Sequence, residues 1–505
     1  MTARIFFAAA VALVPTAALA DNNLGNIVQD GGTNKATIEQ TGVGNSAGNA
    51  SNDIEQRGDD NFLRLIQSGD DNKVGISGQG LLQRGIRSDD RADSNHTEII
   101  QNSNGNSIGE LVQTTEGAHA TTGNTATVTQ DLHGLNTIVS LEQVQGAHAG
   151  SNIATVTQTG TGNWLELLSQ VATLNEGNNT IVFEAKGDHN GVRTDGTGRG
   201  DLGTLARDSG AASATLMQGL DSSGGAGNFI QLSLVGNYNQ YGMTQLGSDN
   251  SAGVTISGLS NSFGSYQLGR HNQITTGGIA ADANDIGLRQ VGESNIASVV
   301  LNNHSTHNEI AVGQDGDSNH TRIELLGTGN MFGVSQTGWN HQATINATGA
   351  NNLIYAIQAN DVVTANLGNV LTVSILGDGN NGLSGGALRS FTGDALQFAS
   401  LAPSLASSLV LAPDLFGVIG SRPSNFMLIP GALIQVGASN SIDIDVGGIT
   451  TSNNNLFAVL QRGDRNSTSF TINGNFNQAI ALQVGDDNVA AAYIEGNSNL
   501  VAISQ

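Results

Sequence analysis

A short motif, Gln-x-Gly-x-x-Asn, recurs along the chain and constrains its fold more than any other sequence feature. The motif occurs twelve times, whereas composition alone predicts roughly one match. Successive matches begin eleven residues apart where nothing is inserted, as between Gln56 and Gln67. The glutamines that begin the matches are Gln29, Gln40, Gln56, Gln67, Gln158, Gln245, Gln267, Gln290, Gln314, Gln435, Gln461 and Gln483.

Each match also fixes one glycine and one asparagine, and Gln505 begins a further repeat at the C-terminal end of the sequence. The glycines, predicted to lie in turns, are Gly31, Gly42, Gly58, Gly69, Gly160, Gly247, Gly269, Gly292, Gly316, Gly437, Gly463 and Gly485. The asparagines are Asn34, Asn45, Asn61, Asn72, Asn163, Asn250, Asn272, Asn295, Asn319, Asn440, Asn466 and Asn488.

A second set of repeats keeps the glycine and the asparagine but replaces the glutamine by an apolar residue. Glutamine and apolar repeats alternate near the C-terminus, so the full period there is twenty-two residues, made of two halves of eleven. The alternating residues are Gln461, Ile472, Gln483, Ile494 and Gln505.

The residues between each asparagine and the next glutamine alternate between two types. In the stretch from Asn124 to Gln130, small apolar residues alternate with Thr125, Thr127 and Thr129. This period of two is typical of a β-strand, and the threonines are predicted to face outward. Each unit is therefore predicted to be a strand, a turn, a second strand and a second turn.

A lone pair of strands is marginally stable in water, so the units must stack. Stacking places identical inward residues in columns, in which each side-chain amide donates to one neighbour and accepts from the other. The sequence therefore predicts an all-β, amyloid-like β-solenoid with glutamine and asparagine ladders. In this prediction glutamine ladders in one sheet, and apolar residues close the matching position of the other sheet.

Composition excludes several functional classes. The chain has 505 residues, 68 of them glycine, no cysteine, 4% aromatic residues and a net charge of −24. So few aromatic residues leave little material for a globular enzyme, and the acidic balance argues against nucleic-acid binding. No enzymatic activity and no cofactor are predicted.

The N-terminus predicts secretion. Residues 1–20 have the form of a secretory signal peptide, with Arg4, an apolar run and a small-x-small cleavage site ending at Ala20. No later segment is apolar enough to span a membrane as a helix. The rest divides into solenoid parts at 21–190, 228–381 and 435–505, a Gly-rich loop at 191–227, and an apolar insertion at 382–434 that contains all four mature prolines.

The repeat resembles the curlin repeat of curli fibre subunits. The segment from Gln29 to Gln40 fits the pattern Gln-x-Gly-x-x-Asn-x-Ala-x-x-x-Gln at every position. The resemblance implies export, self-association with copies of the chain or related subunits, and an extracellular amyloid-like fibre on the bacterial cell surface. It also implies a secretion pore, a nucleator, and roles in biofilm matrix, adhesion and surface colonisation.

Other features favour structural roles, with alternatives left open. Aspartates in turns such as 58–61, 69–72 and 485–488 are interpreted as turn formers that limit self-association, and calcium binding is the alternative. His304 and His307 lack a third metal ligand at a suitable spacing. Trp164 and Trp339 are interpreted as wall residues, or as residues that stack on a sugar or a surface.

A second hypothesis is a monomeric solenoid that binds a surface, ice or a glycan through a flat face of outward threonines. Such a face needs the same residue type on many successive strands. The corresponding positions near the C-terminus are Leu500, Ala502 and Ser504, so the fibre hypothesis is favoured.

Overall fold

A computed structural model describes residues 22–49, 51–86, 95–116, 123–146, 150–172, 178–192, 199–219, 227–277, 281–302, 304–360, 367–382, 430–448 and 450–505. The predicted signal peptide and most of the apolar insertion, 383–429, lie outside these residues. Within them, no helix is long and apolar enough to cross a membrane.

The described chain alternates between two parallel sheets. The first sheet contains β1 (Leu24–Gly25), β2 (Ile27–Asp30), β4 (Ser46–Ala47), β5 (Ile54–Arg57), β7 (Lys73–Val74), β8 (Leu81–Ile86), β10 (Ser107–Glu116), β12 (Thr137–Gln145), β14 (Trp164–Ala172), β17 (Thr215–Gln218), β20 (Gln240–Ser248), β22 (Ser262–Arg270), β24 (Asp285–Glu293), β26 (Glu309–Asp317), β28 (Met331–Trp339), β30 (Leu353–Ala359), β32 (Ala432–Val436), β34 (Leu456–Arg462), β36 (Gln478–Val484) and β38 (Leu500–Ser504).

The second sheet contains β3 (Lys35–Thr41), β6 (Phe62–Ser68), β9 (His96–Gln101), β11 (Thr125–Gly134), β13 (Asn152–Thr161), β15 (Asn179–Val182), β16 (Ala185–Lys186), β18 (Phe229–Ile230), β19 (Leu234–Val235), β21 (Ser251–Gly253), β23 (Gln273–Gly277), β25 (Ile296–Leu301), β27 (His320–Leu326), β29 (Gln342–Thr348), β31 (Val370–Leu376), β33 (Ser441–Val446), β35 (Ser467–Asn473) and β37 (Val489–Glu495). A short helix, α1 (Thr204–Asp208), lies between β16 and β17.

Each strand pairs in parallel with the equivalent strand of the neighbouring repeat, and equivalent residues lie opposite each other. Gln245 pairs with Gln267, and Gln267 pairs with Gln290. This in-register stacking confirms the predicted β-solenoid. We call one pass through both sheets a rung.

The core is a long, narrow space between the two sheets. In β11, Ala126, Val128 and Gln130 are fully buried, whereas the intervening threonines are half-buried on the outside. The alternation therefore assigns the faces as the sequence predicts. Polar residues share this core with aliphatic ones, which is possible only where their amides are hydrogen-bonded.

The rung length differs between the two ends of the molecule. Equivalent glutamines are 22 residues apart from Gln245 to Gln267, as predicted, but 27 apart from Gln29 to Gln56. The first N-terminal rungs are longer because loops interrupt their first-sheet strands, as at 48–53 between β4 and β5 and at 75–80 between β7 and β8. These loops also stack, since Asn49 Nδ2 donates to the carbonyl oxygen of Ile76 at 3.0 Å.

The stretch 191–227, expected to be a loop, contributes ordered elements among its described residues. Strand β17 pairs with both β14 and β20, so it continues the first sheet. Helix α1 packs on the outer face of that sheet, where a Cβ atom on Gly264 would lie 1.9 Å from the Ala206 carbonyl oxygen. Asp285 accepts hydrogen bonds from the backbone N–H groups of Leu205 and Ala206, at 2.9 and 3.0 Å.

Candidate functional site: the amide columns

An unbroken column of glutamine side chains runs through the first sheet. Each Nε2 donates to the Oε1 of the next glutamine toward the C-terminus, at 2.5 to 3.0 Å. The same amides donate to backbone carbonyls, as Gln483 Nε2 does to Ser467 at 3.1 Å. The column contains Gln29, Gln56, Gln83, Gln113, Gln143, Gln170, Gln218, Gln245, Gln267, Gln290, Gln314, Gln336, Gln358, Gln435, Gln461, Gln483 and Gln505.

The prediction that glutamine ladders in one sheet alone is wrong for the N-terminal part of the molecule, where the second sheet also has a glutamine column. Gln40, Gln67, Gln101, Gln130 and Gln158 are linked at 2.7 to 2.9 Å. Ala185 then lies opposite Gln158. Farther along, the position is apolar through Leu301, Leu325, Ala347, Ile375, Val446, Ile472 and Ile494.

Two asparagine columns line the corners at which the chain enters each sheet. In most steps an Oδ1 accepts from both the backbone N–H and the Nδ2 of the next column residue, as Asn250 Oδ1 does from Asn272 at 3.1 and 3.0 Å. The column before the second sheet contains Asn34, Asn61, Asn95, Asn124, Asn152, Asn179, Asn228, Asn250, Asn272, Asn295, Asn319, His341, Asn369, Asn440, Asn466 and Asn488. The column before the first sheet contains Asn23, Asn45, Asn72, Asn106, Asn136, Asn163, Asn190, Asn239, Asn261, Asn284, Asn308, Asn330, Asn352, Asn380, Asn455, Asn477 and Asn499.

The two kinds of column run in opposite directions. Along its column, each glutamine amide donates to the glutamine on its C-terminal side, whereas each asparagine amide donates to the asparagine on its N-terminal side. Between one rung and the next, Gln461 donates to Gln483, while Asn488 donates to Asn466. Every rung therefore presents both donors and acceptors to each of its neighbours.

The turns between strands require two left-handed residues each. The twelve glycines singled out in the sequence all have positive φ, between 91° and 121°. The residue just before the asparagine is also left-handed although it is rarely glycine, as at Ser294 (φ 58°). The turns stack so closely that a Cβ atom on Gly269 would lie 2.1 Å from the carbonyl oxygen of Gly292.

The turn aspartates bind the backbone of the preceding rung. Asp70 Oδ1 accepts from the N–H of Val43 at 2.8 Å, and Asp486 Oδ1 accepts from the N–H of Asp464 at 2.8 Å. Asn104 makes the same contact with Asp70. This contact gives the aspartates a structural role, and the described residues contain no cluster of three or more His, Asp or Glu that could hold a metal ion.

The other singled-out side chains lie apart from the amide columns. His304 and His307 are exposed and both have positive φ. The indole N–H of Trp339 donates to Asp317 at 3.1 Å, and that of Trp164 donates to Glu166 at 2.9 Å. Both tryptophans are half-buried in the wall.

Several column members do not match the sequence motif, because either the glycine or the asparagine of the motif is displaced or replaced. Gln101 and Gln130 belong to the second-sheet column, but a glycine does not follow two residues after either of them. His341 takes an asparagine position: it follows Gln336 and Gly338 at the spacing of the motif, and its backbone N–H donates to Asn319 Oδ1 at 3.1 Å. A motif search that allowed histidine at the asparagine position would have found it.

Comparison with known families agrees with this architecture. Residues 20–48 and 306–338 match the family model described as the Curlin associated repeat. The chain carries curlin-associated repeats. The first curlin match spans β1 to β4 and the second spans β26, β27 and most of β28, so both fall on stacked rungs. Curlin-repeat proteins are extracellular structural subunits of curli. No curated protein matches the chain.

Proposed function

We propose that this curlin-repeat chain is a secreted structural protein that assembles end to end into extracellular amyloid-like fibres. The fibres would serve in biofilm matrix, adhesion and surface colonisation. The chain would lose residues 1–20 on export, pass a secretion pore and meet a nucleator. Its principal partner would be another copy of itself or a related curlin-like subunit.

The glutamine column from Gln29 to Gln505 is the observation that carries this proposal. Each rung binds the next through identical groups at identical positions, so the surface that one rung offers is complementary to any other rung of the same kind. Parallel, in-register stacking of identical side chains is also the arrangement of amyloid. A rung from a second copy therefore meets the same donors and acceptors as a rung of the same chain.

The edges of the last described strands support addition at that end. Gln505 uses both its backbone N–H and its carbonyl to bond β36. Successive residues of a parallel strand direct their backbone N–H and carbonyl groups to opposite edges. Ser504 and Ala502 therefore direct theirs to the edge that faces away from β36. That edge of β38 is therefore the one that we expect a rung of a second copy to pair with, because strand edges of this kind template further strands.

Register argues against the surface-binding alternative. Thr127 lies opposite Thr155 on one side and Glu98 on the other, and Thr155 lies opposite Val182. The threonine face therefore spans only two adjacent strands, which is too few for a flat, repetitive binding face.

The test is to follow the purified mature chain by electron microscopy and by diffraction from aligned samples. Fibres with a meridional reflection at ~4.8 Å are expected. A chain that stays monomeric, binds no amyloid dye and gives no such reflection would contradict the assembly proposal.

A matched pair of variants tests the growing edge. Ala502→Pro removes a backbone N–H from the edge of β38 that faces away from β36 without removing a bond to β36, and it is expected to slow elongation about tenfold or more. Ala502→Val keeps the N–H and is expected to elongate at the wild-type rate. Equal elongation rates for the two variants, with circular dichroism showing both folded, would argue against growth at β38.

A further inference from the structure

His341 occupies an asparagine position in the column before the second sheet. It lies between Asn319 on the preceding rung and Asn369 on the following rung, and its side chain is fully buried. It is the one member of the two described asparagine columns that is not asparagine, and asparagine has no protonation equilibrium near neutral pH.

The contacts of His341 assign its tautomer. Nε2 lies 3.0 Å from the carbonyl oxygen of Thr337, so Nε2 carries the proton and donates. Nδ1 lies 3.1 Å from the backbone nitrogen of Asn369, which is a donor, so Nδ1 accepts. Asn250 does the same with an amide: Nδ2 donates to Leu246 at 3.3 Å, and Oδ1 accepts from Asn272. The neutral imidazole thus reproduces two of the bonds that an asparagine makes.

We propose that His341 makes the stack sensitive to pH, because the neutral ring continues the asparagine column whereas a proton on Nδ1 breaks the column between Asn319 and Asn369. The protonated ring would turn an N–H toward the N–H of Asn369, leaving two buried donors facing each other. The rungs would then separate most readily at this level.

Among the described residues around His341, no anion is placed to stabilise a charged ring. On the preceding rung, Asp315 and His320 are exposed, and Asp317 binds the indole of Trp339. On the following rung, the described residues 367–370 contain no titratable side chain. Burial lowers the pKa of His341 to about 4, and its hydrogen bonds to Thr337 and Asn360 oppose that shift only in part.

The direction of the pH effect follows from linkage. The pKa of His341 in the stacked state lies below that of a free histidine, about 6.5, so the stacked state is unaffected above pH 6.5 and loses stability as the pH falls toward about 4. From pH 7 to pH 5 the equilibrium for local opening of this level is expected to shift about twentyfold toward the open state.

Hydrogen exchange measured by mass spectrometry on the mature chain tests this. Opening rates in peptides covering 337–348 and 367–376, corrected for the pH dependence of chemical exchange, are compared at pH 7 and pH 5. The wild type is expected to open about twentyfold more at pH 5 than at pH 7, and His341→Asn is expected to remove most of that difference. His271→Asn, the same change at an exposed turn position, serves as the control and is expected to behave as the wild type.

A second measurement keeps the test valid if His341→Asn folds poorly. Deuteration of the imidazole Cε1 position, followed over pH in the wild type, reports the pKa of each histidine separately. A His341 that titrates near 6.5, or a His341→Asn variant with the wild-type response to pH, would overturn the proposal.

Discussion

The N-terminal and C-terminal regions of the solenoid solve the same packing problem differently. In residues 22–192, the N-terminal region, both sheets carry a glutamine column, and a rung takes 27 residues or more. From residue 227 onward, in the C-terminal region, the first sheet keeps its glutamines, the second sheet is apolar at the matching position, and most rungs take 22 to 24 residues.

The boundary between the two regions shows what a change of residue type costs a column. Gln158 is the last glutamine of the second-sheet column, and Ala185 offers it no amide acceptor. Its Nε2 keeps only backbone acceptors, the carbonyl oxygens of Thr137 and Asn163, both at 3.3 Å. Gln130 makes the equivalent backbone bonds and an amide–amide bond as well, so each such boundary loses one amide–amide bond, and a column that changed type often would be repeatedly weakened.

Turn glycines provide the largest expected effect. Gly269→Ala, in the C-terminal region, adds a Cβ atom 2.1 Å from a backbone oxygen at φ 117°, whereas at Gly58, in the N-terminal region, the nearest atom would be 3.1 Å away. We expect Gly269→Ala to lower the free energy of unfolding by about 4 kcal/mol and Gly58→Ala by about 2 kcal/mol. Urea unfolding of the soluble monomer measures both. Gly253→Ala, which meets no atom within 4 Å, is the control.

Exchanging glutamine and apolar residues between the two column types is expected to have the next largest effect on stability. Gln130→Leu leaves the amides of Gln101 and Gln158 without their partner, and Leu325→Gln buries an amide between Leu301 and Ala347. Each variant is expected to lose about 3 kcal/mol of unfolding free energy, since a buried amide without a partner is costly. Thr127→Ser on the outer face should change stability by less than about 0.5 kcal/mol. If Leu325→Gln were harmless, the apolar column would not be a requirement of the C-terminal region.

Acidification should affect the two regions unequally. The pKa of His341 is lowered to about 4 by burial, so lowering the pH from 7 to 5 should cost the C-terminal region about 2 kcal/mol. No histidine occupies an amide column among the described residues of the N-terminal region. Protease digestion at the two pH values, with the fragments sequenced, should therefore show new acid-dependent cleavage near residue 341 and none N-terminal to residue 192. Equal acid sensitivity in both regions would contradict this assignment.

Turn aspartates should show the smallest effect, and the same effect in both regions. Asp70→Ala and Asp486→Ala each remove one acceptor of a backbone N–H at an exposed turn, and each should cost about 0.5 to 1 kcal/mol. Asp70→Asn and Asp486→Asn should be near neutral, because Asn104 makes the same contact naturally. Thermal unfolding with and without calcium checks both points, and a calcium-dependent rise in melting temperature that Asp486→Asn abolishes would support the calcium alternative.

Most of the fold could be predicted from the repeat, because one motif determines the inward face of a strand, the turn that follows it and the register of neighbouring strands. The glutamine and the asparagine set which strand face is inward, and the glycine sets the turn, so the register of β20 with β22 follows directly from the sequence. The length of the N-terminal rungs could not be predicted from the motif, because the loop 48–53 interrupts a strand without changing the motifs on either side. The repeat motif also does not predict helix α1, since the position of this helix depends on glycines of strands that are distant in the sequence.

Only part of the candidate site, the amide columns, could be predicted from the sequence, and the reason is chemical. A column position is defined by one donor and one acceptor at fixed places, and a letter pattern identifies only the commonest residue that supplies them. Gln101 supplies them before a turn in which the glycine is displaced to Gly105, and His341 supplies them with a ring instead of an amide. The paired left-handed turn residues, such as Ser294, are hidden because almost any small or polar residue is tolerated there.

The opposite directions of the glutamine and asparagine columns determine the net dipole of the stack. A column of aligned amides accumulates a dipole, as a helix does, with partial charges at its two ends. Both sheets of the N-terminal region contribute a glutamine column against the pair of asparagine columns, so the dipoles there nearly cancel. The C-terminal region has a single glutamine column against the same pair. The uncancelled dipole leaves partial negative charge, carried by asparagine oxygens, at the end nearest Asn488 and Asn499.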